Sequence, residues 1–192
     1  ERMVSLSMGD VGYICCEIEP LEGVKRLRIE SAIDARTANQ SSGGDPRVGS
    51  CVERNALRTL KREAEEDRCL LVQATGNSAL AYACAVRNHV EANVPVEAAW
   101  HSSEDEACCV YSCEAGRFVL EKWIAYAHGA TGEASALSRR AQAQAARACK
   151  AGAAYLRQTQ CLCLEKFWQN IGLELEGDAA LLQGLRFSLF QG

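Results

Sequence analysis

The sequence predicts an α/β fold, a mainly parallel sheet with flanking helices, and three observations carry that expectation. Short apolar, partly β-branched runs, VGYICCEI at 11–18 and CLLVQA at 69–74, read as buried strands. They alternate with longer stretches rich in helix formers, and strands alternating with helices argue for a parallel sheet. The chain has 192 residues, 48% of them hydrophobic, enough to enclose a core as one domain or one and a half.

The elements follow in order. Residues 11–18 form the first strand. In 24–35, Val24, Leu27, Ile29, Ala32 and Ile33 share one helical face, so a helix is expected. Residues 37–50 (TANQSSGGDPRVGS) are the most polar and Gly/Ser-rich run, a loop or insertion. Residues 55–67 combine strong helix formers with apolar positions 56, 57, 60 and 64, and the acidic run from Glu63 to Asp67 reads as a solvated helix end. After the strand at 69–74 come the turn residues Thr75, Gly76, Asn77 and Ser78. A helix over 79–87 follows, with Ser78 as its cap. Residues 94–100 suggest another strand, and 114–128 a helix with Phe118, Leu120, Trp123 and Ile124 inward. A long Ala/Gln/Arg helix spans 133–151 and ends at Gly152, with a brief strand at 154–156 and a helix at 164–175 beyond it. The domain is expected over 1–178. The tail 179–192 carries Leu181, Leu182, Leu185, Phe187, Leu189 and Phe190 and is expected to dock on another chain.

Composition excludes several classes. With 25 acids against 21 bases and a net charge of −4, no basic field points to nucleic acid. The longest apolar candidate, 70–86, is interrupted by Gln73, Gly76, Asn77 and Ser78, so no transmembrane helix is expected, while association with a membrane complex stays open. Eleven irregularly spaced cysteines read as reduced, buried thiols, which implies an intracellular setting, mitochondrial or other organellar compartments included. Glu1 in place of an initiator Met suggests a processed chain or part of a longer product. Cys108, Cys109 and Cys113 with Cys161, Cys163 and His101 offer soft ligands, but paired C-x-x-C knuckles are missing and no metal centre is expected. His89 and His128 stand alone, and no Gly-x-Ser-x-Gly, Walker A or Gly-x-Gly-x-x-Gly pattern occurs. The chemistry therefore concentrates in one place. A strand, the turn Thr75, Gly76, Asn77 and Ser78, and a helix start would present N–H groups to a carboxylate or phosphate.

Two stretches resemble the cysteine synthase and cystathionine β-synthase group of fold-type-II enzymes dependent on pyridoxal phosphate, and the Ala/Gln helix with 152–156 and 167–174 is similar to the stretch before that family's phosphate loop. Residues 17–26 (EIEPLEGVKR) with the following 29–35 are similar to the strand, turn and lysine-bearing helix start of that family. Residues 72–81 (VQATGNSALA) are similar to its Ser-Gly-Asn-Thr loop. A second register sets residues 50–57 on the lysine motif, with Val52 at the lysine position. The resemblance implies the N-terminal part of that fold. It also implies Lys25 as the aldimine lysine, Asn77 beside the cofactor ring, and Thr75 to Ser78 on the substrate carboxylate. Arg26 stands where the family has Asp, Gly23 where it has Ser, and no Gly-rich phosphate loop follows. The expectation is therefore a shortened, non-catalytic relative, an accessory subunit bound to other protein subunits and holding no cofactor. The alternative is an active lyase or synthase with pyridoxal phosphate on Lys25.

Overall fold

The computed structural model describes residues 1–36, 57–171 and 178–191. Among these residues there are nine strands: β1 (Arg2–Val4), β2 (Val11–Ile18), β3 (Arg26–Asp34), β4 (Leu57–Glu65), β5 (Arg68–Thr75), β6 (Leu80–Ala92), β7 (Val96–Ser102), β8 (Glu106–Glu114) and β9 (Phe118–Ala130). Two helices follow, α1 (Ala134–Ile171) and α2 (Ala179–Gln191). The strands build a six-stranded sheet, β1-β2-β9-β6-β5-β4, and a three-stranded sheet, β3-β8-β7. Each pairing is antiparallel. The parallel α/β expectation is thereby corrected to an antiparallel sandwich with a helix on its back.

Each departure has a local cause. In β3, Leu27, Ile29 and Ser31 turn inward between exposed Arg28 and Glu30, a period of two that the helical reading of 24–35 mixed with outward Val24. In β4 the register slips between Thr59 and Lys61, leaving Leu60 as a bulge. That extra residue spaces Leu57, Leu60 and Ala64 by three and four, which imitates a helix. The acidic run is the end of β4 and its hairpin turn, where Glu63 pairs with Lys61 at 2.8 Å and Asp67 with Arg87 at 3.2 Å. In β6 and β9 both faces are covered, so alternation disappears: Ala83, Ala85, Ala125 and Ala127 lie on one side, Val86, Phe118 and Leu120 on the other. The helices expected at 79–87 and 114–128 are these strands.

Strand assignments at 11–18, 69–74 and 94–100 correspond to β2, β5 and β7, while β1 and β8 had no counterpart. The long Ala/Gln/Arg helix exists. Gly152 (φ 83, ψ 162) interrupts it, and the helix resumes through the segment expected as the strand 154–156. The loop at 37–50 and the last residues of the 164–175 helix lie outside the described residues.

Small side chains let α1 lie close against the large sheet. Leu137, Ala141, Ala145, Ala148 and Leu156 recur at helical spacing and meet Ala81, Ala83, Ala85, Ala125 and Ala127 from β6 and β9. Trp123 and Tyr13 close one flank of this seam, their ring centroids 4.5 Å apart. At Gly129, where the chain enters the helix, a Cβ would stand 2.7 Å from Glu133 Oε2 and 3.2 Å from Leu137 Cδ2, so these two side-chain ends would have to shift to admit one. The tail folds back as α2 onto the end of α1, with Phe190 against Phe167 at 6.1 Å and Arg186 over the Trp168 ring at 6.0 Å. Leu181 and Phe187 stay more than half exposed.

Enlarging a residue in the alanine seam should lift the helix. Ala145→Leu is expected to cost about 1–3 kcal/mol by urea denaturation, whereas Leu at the exposed Ala143 should change stability by no more than about 0.5 kcal/mol.

Candidate functional site

The three-stranded sheet lies over β4 and β5 and leaves part of the inner face of β6, β9 and β2 open. At that open end Tyr126 is 47% and Leu80 55% exposed. Strand alternation sets Gln73, Tyr82, Cys84, Lys122 and Tyr126 on this inner face, because their neighbours Val72, Ala83, Ala85, Trp123 and Ala125 are committed to the helix side.

Gln73 organises the polar part. It is 1% exposed. Its Nε2 donates to the Ala35 carbonyl at 2.9 Å and to Thr59 Oγ1 at 3.1 Å. Its Oε1 accepts from the Tyr82 hydroxyl. One amide thus ties β5 to β4, to β6 and to the end of β3. Tyr82 and Tyr126 lie with ring centroids 6.5 Å apart, tilted by 42°. Beneath them burial pushes the Cys84 thiol up to about 11. The Tyr126 phenol is pushed up to about 12 by the neighbouring Cys84 and by burial. Deeper still, Lys122 Nζ crosses the sandwich to donate to the Ala32 carbonyl at 2.8 Å, and burial lowers its pKa. Beside Tyr126 runs an apolar groove of about 420 Å³, with Met3, Val4, Gly12, Ile14 and Ile124 among its walls. Among the described residues, Asp10 is the only carboxylate lining it.

The half-exposed Tyr126 ring and the apolar groove beside it offer a face to the C–H side of a neutral ring, while the Gln73 amide is buried and already paired. Glycosidic hydrolysis uses two carboxyl groups roughly 5–10 Å apart across the bond, and this groove does not supply such a pair.

The residues singled out from the sequence fall elsewhere. Thr75, Gly76, Asn77 and Ser78 connect two antiparallel strands, so no helix N-terminus stands behind them. Thr75 Oγ1 lies 2.7 Å from Ser78 Oγ and accepts from the Leu80 N–H at 3.2 Å. The left-handed conformation in this turn belongs to Ala79 (φ 52) rather than to Gly76. Lys25 is exposed ahead of β3, and its carbonyl accepts from the Ala115 N–H at 2.9 Å. Lys25 belongs to the end of the sandwich where Ile18 pairs with Phe118, whereas the turn flanks Leu80, paired with Ala130. The length of β9 separates the two, roughly 40 Å at the usual strand rise. Lys25 and Asn77 therefore share no site.

Gln73, Tyr82 and Tyr126 went unremarked as site residues. The available signal was a lone amide inside an apolar strand, which needs partners when buried. The cysteines are dispersed by the same alternation. Cys109 and Cys113 face the sandwich interior, Cys161 and Cys163 lie on α1, and Cys108 turns to the outer face of the small sheet with His101 and Glu106.

Fold and site together define a β-sandwich module with a helical arm and a partly open, largely apolar inner face. Residues 1–167 match the model of the glycosyl hydrolase family 65 N-terminal domain, and the chain belongs to that family. It is 30% identical over 193 residues to an α,α-trehalose phosphorylase of Thermoanaerobacter brockii, covering 99% of this chain and 25% of that protein. An uncharacterized glycosyl hydrolase of Mycobacterium leprae is 29% identical over 98% of this chain and 24% of its own length. A solved structure described as a kojibiose phosphorylase, from the human microbiome, shares the fold with a TM-score of 0.67 at 13% identity, over 88% of this chain and 21% of that one. The chain spans about a quarter of the length of the curated relatives it matches. This membership overturns the resemblance to cysteine synthases, and with it the accessory-subunit and pyridoxal-phosphate lyase readings. Among the described residues, no helix is long and apolar enough to cross a membrane.

Native alkylation should sort the thiols by face. At pH 8 the exposed Cys16 and Cys161 are expected to react first, with Cys69, Cys84, Cys109 and Cys113 protected in peptide mass maps. Because the Cys84 pKa is raised, its thiolate should become available only as the pH approaches 11.

Proposed function

We propose that this chain is the N-terminal module of a disaccharide phosphorylase acting on α,α-trehalose, the bond being cleaved by inorganic phosphate. The observation that carries the reading is the 30% identity to a trehalose phosphorylase across nearly the whole chain. The inner face supports it in kind, since Tyr82, Tyr126 and the groove beside them offer a surface for a sugar ring. The described residues lining that groove include Asp10 but no second carboxylate, so bond cleavage is assigned to the remainder of a longer enzyme. The apolar side chains left exposed on α1 and α2, Leu162, Phe167, Leu181 and Phe187, are proposed to pack against that remainder.

The test is a product assay on the natural-length protein with α,α-trehalose. Phosphate-dependent release of one hexose phosphate and one free glucose is expected. Phosphate-independent release of two glucose molecules, or no reaction, would overturn the proposal. The contribution of the inner face is read separately by saturation-transfer NMR on the 192-residue chain. Trehalose protons should receive saturation from the wild type and lose most of it with Tyr126→Ala. An unchanged transfer would remove the inner face from the reading without touching the assay.

A further inference from the structure

The outer face of the three-stranded sheet carries a group of side chains that the proposed sugar chemistry does not use. Antiparallel register sets His101 of β7 directly opposite Cys108 of β8. Glu106 lies two residues before Cys108 on the same strand and so on the same face. The ligand atoms of the three residues lie within 4.8 Å of one another, with His101 Nε2 3.2 Å from Glu106 Oε1. Metal–ligand bonds of 2.0–2.3 Å in tetrahedral geometry set ligand atoms about 3.3–3.8 Å apart, so only small side-chain adjustments separate this arrangement from coordination. The three residues differ in exposure. Cys108 is fully buried at the floor, Glu106 is half-buried and His101 is exposed. A thiolate held from below and two ligands at the rim leave a fourth position open toward solvent.

We propose that His101, Glu106 and Cys108 form a binding site for a borderline-soft divalent cation of the Zn²⁺ class, with water as the fourth ligand. The donor set selects the ion: thiolate and imidazole favour Zn²⁺ and Co²⁺ over Mg²⁺ or Ca²⁺, which take oxygen donors. Binding releases the Cys108 proton to solvent, with no change of oxidation state. The ion bridges β7 and β8 beside the three residues that join them, Ser103 to Asp105. It would therefore staple β7, an edge strand of the small sheet, to its one neighbour. This inference is independent of the trehalose reading.

The test is a Co²⁺ titration of the metal-free chain under a phosphine reductant, followed by absorbance. One Co²⁺ per chain is expected, with a thiolate-to-cobalt charge-transfer band that Zn²⁺ abolishes by displacement. Cys108→Ser should eliminate the band. His101→Ala, an exposed substitution that leaves the fold intact, should weaken Co²⁺ binding at least about tenfold. Absence of the band in the wild type would overturn the proposal. So would a band of unchanged affinity in His101→Ala, since the ion would then sit on other thiols.

Discussion

The structure depends on the covering of both faces of β5, β6 and β9. The inner side of these strands packs under the three-stranded sheet, and the outer side receives α1 across a seam of alanines. Alanine against alanine brings backbones close, so each residue contributes little apolar area and the contact relies on continuity. A single larger side chain would separate two extended surfaces at once, whereas the usual leucine-lined interface can repack locally. Gly129 lies at the same seam, with the Glu133 and Leu137 side chains close over it.

Double covering buries polar groups inside the sandwich, and several of them are partnered across elements, while the Tyr111 hydroxyl and Asn88 Nδ2 are buried without a partner among the described residues. Gln73 spends both ends of its amide on Thr59, Ala35 and Tyr82. Ser31 donates to Asn88 at 2.8 Å, joining the two sheets. Lys122 reaches the Ala32 carbonyl. Unpartnered, each would carry a desolvation cost comparable to a whole hydrogen bond, so these contacts fix how one sheet registers on the other. The Gln73 contact also holds Tyr82 in place, with the Tyr126 ring 6.5 Å away.

Alternation distributes the thiols. Cys69 and Cys109 meet in the interior with sulfurs 3.5 Å apart, while Cys108, one residue along, faces the opposite side with His101 and Glu106. A vicinal cysteine pair in a strand cannot act as one ligand pair, because the pleat sends its members to opposite faces. Read as a spacing in sequence, 108, 109 and 113 looked like one cluster; in space they are two environments.

The sequence by itself determined the strand cores at 11–18 and 69–74, the long helix and its break at Gly152, and the burial of Cys69, Cys84, Cys108, Cys109 and Cys113 but not of the other described cysteines. These are local properties, since apolar runs, alanine content and a glycine with φ 83 act within a few residues. Only the tertiary structure decided the class of fold. Antiparallel strands normally alternate, and fully apolar strands normally signal a parallel sheet; here a helix on the back made antiparallel strands apolar on both sides. The mixed faces of β3 imitated helical spacing because its partner β8, far along the chain, sets which side is buried, while the bulge at Leu60 arises in the hairpin with the next strand, β5. The inner face could not be read from any motif. Gln73, Tyr82 and Tyr126 stand 9 and 44 residues apart in sequence, and the hydrogen-bonded registers of β5 with β6 and β6 with β9 bring them together.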